Sequence, residues 1–175
     1  MKFIPYEPKH FNLIHKWHTD EEISQKVGYE KKPTEEETRK LLITWLSDNN
    51  RILFLVEHLD KIVGYVTLSE INRLYETATL HTTVGEKEFL HQKSCVGIMD
   101  GILKYAFNEL KLHRVTTYVM SNNPKLIMTA KKYGWIQEGI LKDFIKFNGQ
   151  RLNYYVFRLL KSEFRKRGDL CQQSL

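Results

Sequence analysis

The sequence predicts a single α+β domain: a mixed, mostly antiparallel sheet of about seven strands, flanked by about four helices. Three observations support this class. The apolar residues switch between helical and strand periodicity along the chain. No internal repeat and no stretch rich in Pro, Gly or Ser divides it. Its 175 residues are enough for one sizeable core. We therefore expect one domain over residues 1–160 and a basic tail over residues 161–175.

The first elements are a short strand and two helices. Phe3 to Tyr6 is predicted to be the strand, and His10 to Trp17 carries apolar residues at roughly helical spacing. A second helix is predicted after Pro33, because Thr34 and Glu37 have the spacing of a capping box. Apolar residues at helical spacing then continue this helix.

Three strands follow. The segments "RILFLVEHL" and "KIVGYVTLSEI" are rich in β-branched and aromatic residues, and "TATLHTTVG" alternates well enough for a third strand. The first two are separated by a turn centred on Asp60, and the third follows the turn "NRLYE". These segments predict an antiparallel meander.

A helix, a strand, a second helix and a hairpin complete the chain. Apolar residues from Met99 to Leu110 follow the i, i+3, i+4, i+7 pattern of an amphipathic helix. Gly134 is the stop signal of the later helix, and Asn148-Gly149 predicts the turn of the final hairpin. The first of these helices makes a crossover that places strands 78–84 and 113–119 in parallel. A cofactor is expected where these strands face the start of that helix.

Composition excludes several classes of protein. No apolar run is long enough to span a bilayer, and the N-terminal residues lack the apolar core of a signal peptide. Cys95 and Cys171 do not make a disulfide framework, so reduced thiols and a cytoplasmic location are expected. The histidines are scattered and no zinc-ligand spacing occurs, so we expect no metal.

The charge balance raises the question of a nucleic-acid partner. The formal net charge is +6, and part of it lies in the tail "KSEFRKRGDL". Nucleic-acid binding also needs exposed aromatic residues on a basic face, but the aromatics here follow the apolar faces of predicted elements. A solvated basic C-terminus is therefore the favoured interpretation, and a nucleic-acid partner is not expected.

Two stretches carry a family resemblance. Tyr105 to Leu160 combines an Ala-Phe helix end, "LHRV", an Asn, "KKYGW" and a late "NG". Gly64 to Asn72, "GYVTLSEIN", is similar to polyamine acetyltransferases. Together they resemble the GNAT acetyltransferase superfamily, and within it the branch of ribosomal-protein N-terminal acetyltransferases and spermidine acetyltransferases.

The resemblance implies acetyl-CoA as the acetyl donor and direct transfer of the acetyl group to an amine. It implies that the fourth and fifth strands splay apart, that the pantetheine arm pairs with the fourth strand, and that an amide of Thr82 to Val84 polarises the thioester carbonyl. The pyrophosphate would bind amides at the start of the main helix. Homodimers are common in the family, so a homodimer is a possible assembly.

The phosphate loop departs from the family pattern. The family usually has Gln/Arg-x-x-Gly-x-Gly/Ala, and its key places fall on Leu90, Lys93 and Cys95. Amides are nevertheless present, because residues 90–96 contain no proline. In addition, Lys93 adds positive charge, and Ser94 can donate a hydroxyl hydrogen or cap the helix. We therefore expect CoA binding to be retained. The residues expected to bind the cofactor are Thr82, Thr83, Val84, Leu90, His91, Gln92, Lys93, Ser94, Cys95, Val96 and Asn123.

The candidates for proton transfer are His81, Glu70 and Tyr133. An alkyl amine arrives mostly protonated, so it must lose a proton before it attacks. His81, two residues after the place where relatives often carry a Glu, can accept that proton, and Glu70 can act as base or bind a cationic substrate. The acids of related enzymes would fall on Ala130 and Leu126, so Tyr133 is expected as a substitute acid. Tyr118 and water are the alternatives.

These observations predict an acetyl-CoA-dependent N-acetyltransferase that acts on a primary amine. A protein N-terminus, a polyamine and an amino sugar remain open as acceptors, because a fold does not fix the substrate. The alternative is a catalytically weakened member of the family that binds CoA or serves as an interaction module. The altered phosphate loop and the absence of the general acids found in relatives favour this alternative.

Overall fold

The structure, a computed structural model, describes residues 1–89 and 92–164, with the backbone alone for residues 92–95. Seven strands and five α-helices follow one another in these ranges. In chain order they are β1 (Lys2–Pro5), α1 (Phe11–Thr19), α2 (Glu21–Val27), α3 (Glu35–Ser47), β2 (Ile52–His58), β3 (Lys61–Asn72), β4 (Thr77–Val84), α4 (Gln92–Lys104), β5 (Arg114–Met120), α5 (Pro124–Tyr133), β6 (Ile136–Phe147) and β7 (Gln150–Leu160).

The strands form one sheet in the order β1-β2-β3-β4-β5-β7-β6. Among the described strands, β4 and β5 are the parallel pair and all other neighbours are antiparallel. The crossover between them runs through α4, as a parallel connection requires. The predicted α+β class, the mixed seven-stranded sheet and the parallel pair are confirmed.

Apolar side chains pack on both faces of the sheet. One cluster places Ile102 and Phe107, from α4 and the π-helical turn that follows it, against Leu68 and Leu80. The other places Trp17 and its neighbours on α1 and α3 against Tyr65 and the strands around it. Because each face has its own core, the open part of the sheet between β4 and β5 is supported from both sides.

Helix α2 is an element that the sequence analysis missed. Asp20 caps its start, with its carboxylate accepting from the amides of Glu22 at 3.0 Å and Ile23 at 3.1 Å. Gly28 ends the helix in the left-handed region at φ +92°. The helix has only seven residues, too few for the apolar periodicity that revealed the other helices.

The chain beyond β7 begins with a helical turn over residues 161–164. The Phe164 ring packs against the Phe107 ring at a centroid distance of 5.4 Å. The rest of the predicted basic tail lies outside the described residues. In the described part of the chain, no helix has the length and apolar character needed to cross a bilayer.

Gly85, directly after β4, is expected to be essential for packing. An added Cβ would lie 2.1 Å from the indole ring of Trp17, which is fully buried and donates its Nε1 hydrogen to Glu86 at 3.0 Å. Overpacking a rigid ring is destabilising, so Gly85→Ala should lower the free energy of unfolding by about 2–3 kcal/mol in urea titrations.

Gly139→Ala is the matched control, since nothing lies within 4 Å of its added Cβ and its φ is not positive. It should leave stability unchanged or slightly higher. Equal stability of the two variants would contradict the packing described at Trp17.

Candidate functional site

The parallel pair β4–β5 separates soon after it forms. Its paired residues are Thr77 with Arg114, Ala78 with Val115, and Thr79 with Thr116. Beyond Thr79 the two strands continue, but β4 no longer pairs with β5, whereas it remains paired with β3 as far as Val84. Alternate peptide groups of residues 80–84 therefore face a gap instead of a neighbouring strand. The separation of the fourth and fifth strands is as predicted.

A large cleft opens at this gap. It has a volume of ≈ 710 Å³ and lies between α2, β4, α4 and α5. Four of the residues expected to bind a cofactor line it: Thr82, Thr83, Val84 and Asn123. Asn123 also caps α5, because its Oδ1 accepts from the amide of Leu126 at 3.1 Å. The splayed strand and the cap of α5 therefore share one cavity.

Helix α4 begins at Gln92, earlier than the apolar pattern suggested. The backbone of residues 92–96 is therefore helical, and positive φ angles, for which glycine is favoured, are not needed there. The first four amides of a helix have no partner within it, so this turn presents free donors and the positive end of the helix dipole. Val96 is half-buried and packs against the core. Leu90, His91 and the side chains of Gln92, Lys93, Ser94 and Cys95 lie outside the described residues.

Lysine side chains give the cleft a positive character. Lys26 on α2 pairs with Glu22 at 2.6 Å, and Lys87 pairs with Asp20 at 3.1 Å. Lys125 and Lys132 on α5 also line the cleft, and Lys132 has no ion-pair partner among the described residues. Glu22 and Glu88 also line the cleft, but the four lysines outnumber them, and this excess of positive charge favours a ligand with several negative charges.

A smaller cavity of ≈ 290 Å³ adjoins the cleft. Both cavities are lined by Lys26, Thr82, Thr83 and Asn123, so they meet at the splayed part of β4. The other walls of the smaller cavity are largely aromatic: Tyr29, Trp45, Tyr65, Tyr118 and Tyr154 line it.

His81 lies in this smaller cavity. Its side chain is exposed, but enough protein surrounds it that partial burial, followed by the positive charge of Arg51, lowers the pKa of the imidazole below 6.5. The charge of Glu70 acts in the opposite direction and is the weakest of the three influences. His81 is therefore neutral at pH 7 and able to accept a proton.

Glu70 does not line either cavity. It lies at an irregularity of the β3–β4 pairing, with φ +53°, and its Oε2 accepts from the Thr79 hydroxyl at 2.6 Å. Thr79 and His81 are two residues apart on β4 and so point to the same face. The structure thus brings Glu70 near His81 but holds its carboxylate on the Thr79 side.

Tyr133 lies away from the cavities. It is 2% exposed, belongs to the apolar core, and donates its hydroxyl hydrogen to Asp100 at 2.5 Å. The expected role as substitute acid is therefore not supported by its position, because α5 turns this side chain inward toward α4. Tyr118, the weaker candidate, is 38% exposed and lines the smaller cavity.

Residues that the sequence analysis did not consider also form the site. Helix α2 supplies Lys26 and Val27 to both cavities, and Arg51 contributes a guanidinium next to His81. The signals for α2 were the Asp20 cap and Gly28. Arg51 carried no local signal, because its place depends on the pairing of β2, β3 and β4. No group of three or more potential metal ligands occurs in the described part of the chain.

A buried hydrogen-bonded network supports the floor of the site. His18 is fully buried, with its Nε2 2.8 Å from the Tyr65 hydroxyl and its Nδ1 3.3 Å from the Tyr29 hydroxyl. Tyr65 also bonds to the Thr83 side chain. Burial, and to a lesser extent the charge of His15, lowers the pKa of His18 to about 4. Tyr29, Tyr65 and Thr83 line the cavities, so the network holds these three side chains in place, two of them by a direct bond to His18.

A family model described as an acetyltransferase (GNAT) domain matches residues 6–155. The chain therefore belongs to the GNAT acetyltransferase family, which confirms the resemblance seen in the sequence. Acetyl-CoA is the acetyl donor of this family.

Curated relatives and solved structures agree with this assignment. A spermidine N(1)-acetyltransferase of Vibrio cholerae serotype O1 is 26% identical over 137 residues, covering 77% of this chain and 78% of the relative. An N-acetyltransferase 9-like protein of Caenorhabditis briggsae is 28% identical over 177 residues, covering 90% and 87%. The crystal structure of spermidine N-acetyltransferase from Vibrio cholerae in complex with CoA and spermine superposes with a TM-score of 0.85 at 23% identity, over 94% of this chain and 97% of that one. This last likeness shows that the fold is shared.

The buried His18 predicts a specific pH dependence of stability. The folded protein holds His18 neutral, whereas the unfolded chain binds a proton below pH 6.5, so stability should fall between pH 6.5 and about 4. Over this whole range the contribution is roughly 3 kcal/mol. Urea unfolding at pH 7, 6 and 5 should show a steeper loss for the wild type than for His18→Gln.

His113→Gln is the control, since it removes an exposed histidine. It should keep the wild-type slope. Identical pH slopes for wild type and His18→Gln would contradict the neutral, buried state of His18.

Proposed function

We propose that the protein is an acetyl-CoA-dependent N-acetyltransferase that moves the acetyl group directly to a primary amine. The observation that carries the proposal is the early separation of β4 from β5, which joins a basic cleft to a cavity containing a neutral histidine. One cavity suits the long anionic donor and the other the amine acceptor. Their junction at Thr82 and Thr83 is where the two reactants would meet.

The donor fits the larger cleft. Acetyl-CoA supplies an activated acetyl group: the amine nitrogen bonds to the acetyl carbon, the C–S bond breaks, and the thiolate takes up a proton. The open peptide edge of residues 80–84 receives the pantetheine arm, and the first-turn amides of α4 bind the pyrophosphate. Lys132 and Lys125 on α5 add positive charge for the remaining phosphate. Asn123, between both cavities, orients the arm at the junction.

His81 is the proposed general base. It is neutral at pH 7 and lies beside the expected amine position, so it can take one proton from the ammonium form of the acceptor. Glu70 acts on His81 through its charge and through Thr79 rather than by touching the amine. Holding the amine next to the thioester in this confined space provides the remaining advantage.

Two further groups complete the proposal. An amide of Thr82 to Val84 donates to the carbonyl oxygen as negative charge develops there. Tyr118, which lines the cavity, donates the proton to the leaving thiolate in place of the buried Tyr133. A catalytically weakened protein that binds CoA is the second candidate, because relatives' acids are replaced by Ala130 and Leu126.

Acetyl-CoA binding is the first measurement. Calorimetry should give micromolar affinity for wild type, and charge reversal by Lys132→Glu or Lys93→Glu should weaken it about tenfold, because each places a carboxylate near phosphates. Lys104→Glu, at the opposite end of α4, is the control and should bind as wild type does. No binding at millimolar acetyl-CoA would end both the enzyme proposal and the CoA-binding alternative.

Turnover separates the two candidates. Release of free CoA thiol should be detected with at least one amine among an N-terminal peptide, a polyamine and an amino sugar. His81→Gln should lower kcat about 10²–10³-fold. The wild-type kcat/KM should fall as pH drops through the His81 pKa, below 6.5, because the protonated imidazole cannot accept a proton.

Two other variants sharpen this test. In the pH profile of kcat/KM, His81→Gln should lose the fall at acidic pH but keep the rise at alkaline pH, which comes from deprotonation of the amine. Tyr118→Phe should lower kcat and keep the fall at acidic pH. His113→Gln should resemble wild type. Tight acetyl-CoA binding without turnover of any amine would favour the non-catalytic alternative.

A further inference from the structure

Arg51 is a charged residue of the acceptor cavity that the reaction itself does not require. It directly precedes β2, whose Leu53 pairs with Thr67 of β3, and Thr67 pairs in turn with His81 of β4. Paired residues in neighbouring strands point to the same face. Arg51 and Leu53 are two residues apart, so Arg51 points to the face that carries His81. Both side chains line the ≈ 290 Å³ cavity.

The guanidinium of Arg51 is incompletely satisfied. Its Cζ lies 5.5 Å from the centre of the Trp45 ring, and its Nε is 3.5 Å from Asp48 Oδ2. No described residue accepts a hydrogen bond from its side chain, and Nε is a buried donor without a partner. A guanidinium has five N–H donors in a fork that matches carboxylate and phosphate oxygens. Because Nε itself is buried, the donors left for a ligand in the cavity are those on the terminal nitrogens of the fork.

The cavity has no opposing charge of its own. Among the residues that line it, Lys26 and Arg51 are the ones with a full charge at pH 7, and no Asp or Glu is present. Lys26 already pairs with Glu22 at 2.6 Å. Glu70 lies outside the cavity and is held by Thr79. The lining of the acceptor cavity is therefore positive, and Arg51 has only the long ion pair with Asp48, outside the lining, and no hydrogen-bonded partner among the described residues.

We infer that the amine acceptor is a small molecule that also carries a carboxylate or phosphate group, which Arg51 binds while the amine reaches His81. This inference rests on the N-acetyltransferase function proposed above and names its substrate class. The cavity volume suits a small ligand. Its aromatic walls, including Tyr118 and Tyr154, contact the carbon atoms between the two groups. A polyamine, whose other nitrogens are also positive, is repelled by Arg51 and Lys26.

Matched amines test the inference directly. The first set is n-butylamine, 4-aminobutanoate and spermidine, and the second is glucosamine and glucosamine 6-phosphate. At saturating acetyl-CoA, the amine that carries a carboxylate or phosphate should, in at least one set, have a kcat/KM at least about tenfold above that of the matched amine without the anionic group. Spermidine should be the poorest acceptor. The two sets distinguish a carboxylate ligand from a phosphate ligand.

Variants of Arg51 assign the effect to this side chain. Arg51→Glu should lower kcat/KM for the anionic amine about a hundredfold, mainly through KM, and should raise it for spermidine. Arg51→Lys should retain part of the preference, since a lysine keeps the charge but loses the fork. Arg151→Glu makes the same charge change on the exposed start of β7 and should leave all ratios unchanged. Calorimetric affinity for acetyl-CoA should be unaffected in every variant.

The possible failures are distinguishable. If wild type prefers spermidine or the amines without an anionic group, this inference is overturned while the acetyltransferase function stands. The same holds if Arg51→Glu and Arg51→Lys leave the preference for an anionic amine unchanged. Acetyl-CoA binding without turnover of any of the five amines would overturn the enzyme proposal and this inference together.

Discussion

The site depends on one constraint, the short pairing between β4 and β5. Three residue pairs hold these parallel strands together, and beyond them β4 follows β3 while β5 follows β7. A sheet that stayed closed would satisfy the peptide groups of residues 80–84 internally. Because it opens, those of the groups that face β5 have no neighbouring strand to bond to, and the space between the strands becomes the junction of two cavities.

The opening is stable because both sides of the sheet are firmly packed. On one face, α4 closes the core over Leu68 and Leu80. On the other, Trp17 and Tyr65 pack together, and the buried His18 connects Tyr65 to Tyr29. Removing His18 would leave the Tyr65 and Tyr29 hydroxyls each without one hydrogen-bond partner, which is unfavourable in a buried place. Cavity walls fixed in this way keep a defined shape, as the proposed transfer between two bound reactants requires.

Positively charged side chains line both cavities. The larger cleft has lysines from α2, α5 and the turn after β4 in its walls. Glycine is not needed at residues 92–96, since the helix begins at Gln92 and the first amides of a helix lack partners within it in any sequence without proline. In the smaller cavity, partial burial and then the positive charge of Arg51 lower the pKa of His81, and the same Arg51 guanidinium is the proposed anion-binding group. One side chain thus acts on the proposed proton acceptor and on the inferred choice of amine.

The sequence by itself determined the elements whose signals are local. Periodicity identified α4, the capping box of Thr34 and Glu37 identified the start of α3, and Asn148-Gly149 identified the final hairpin. The family resemblance added the splayed strands and the placement of Thr82, Thr83 and Asn123. Only the tertiary structure decided the direction of Tyr133, the role of α2 and the position of Arg51. These features depend on helix orientation and strand register, which bring together residues distant in the chain, and no local pattern around Tyr133 or Arg51 records those contacts.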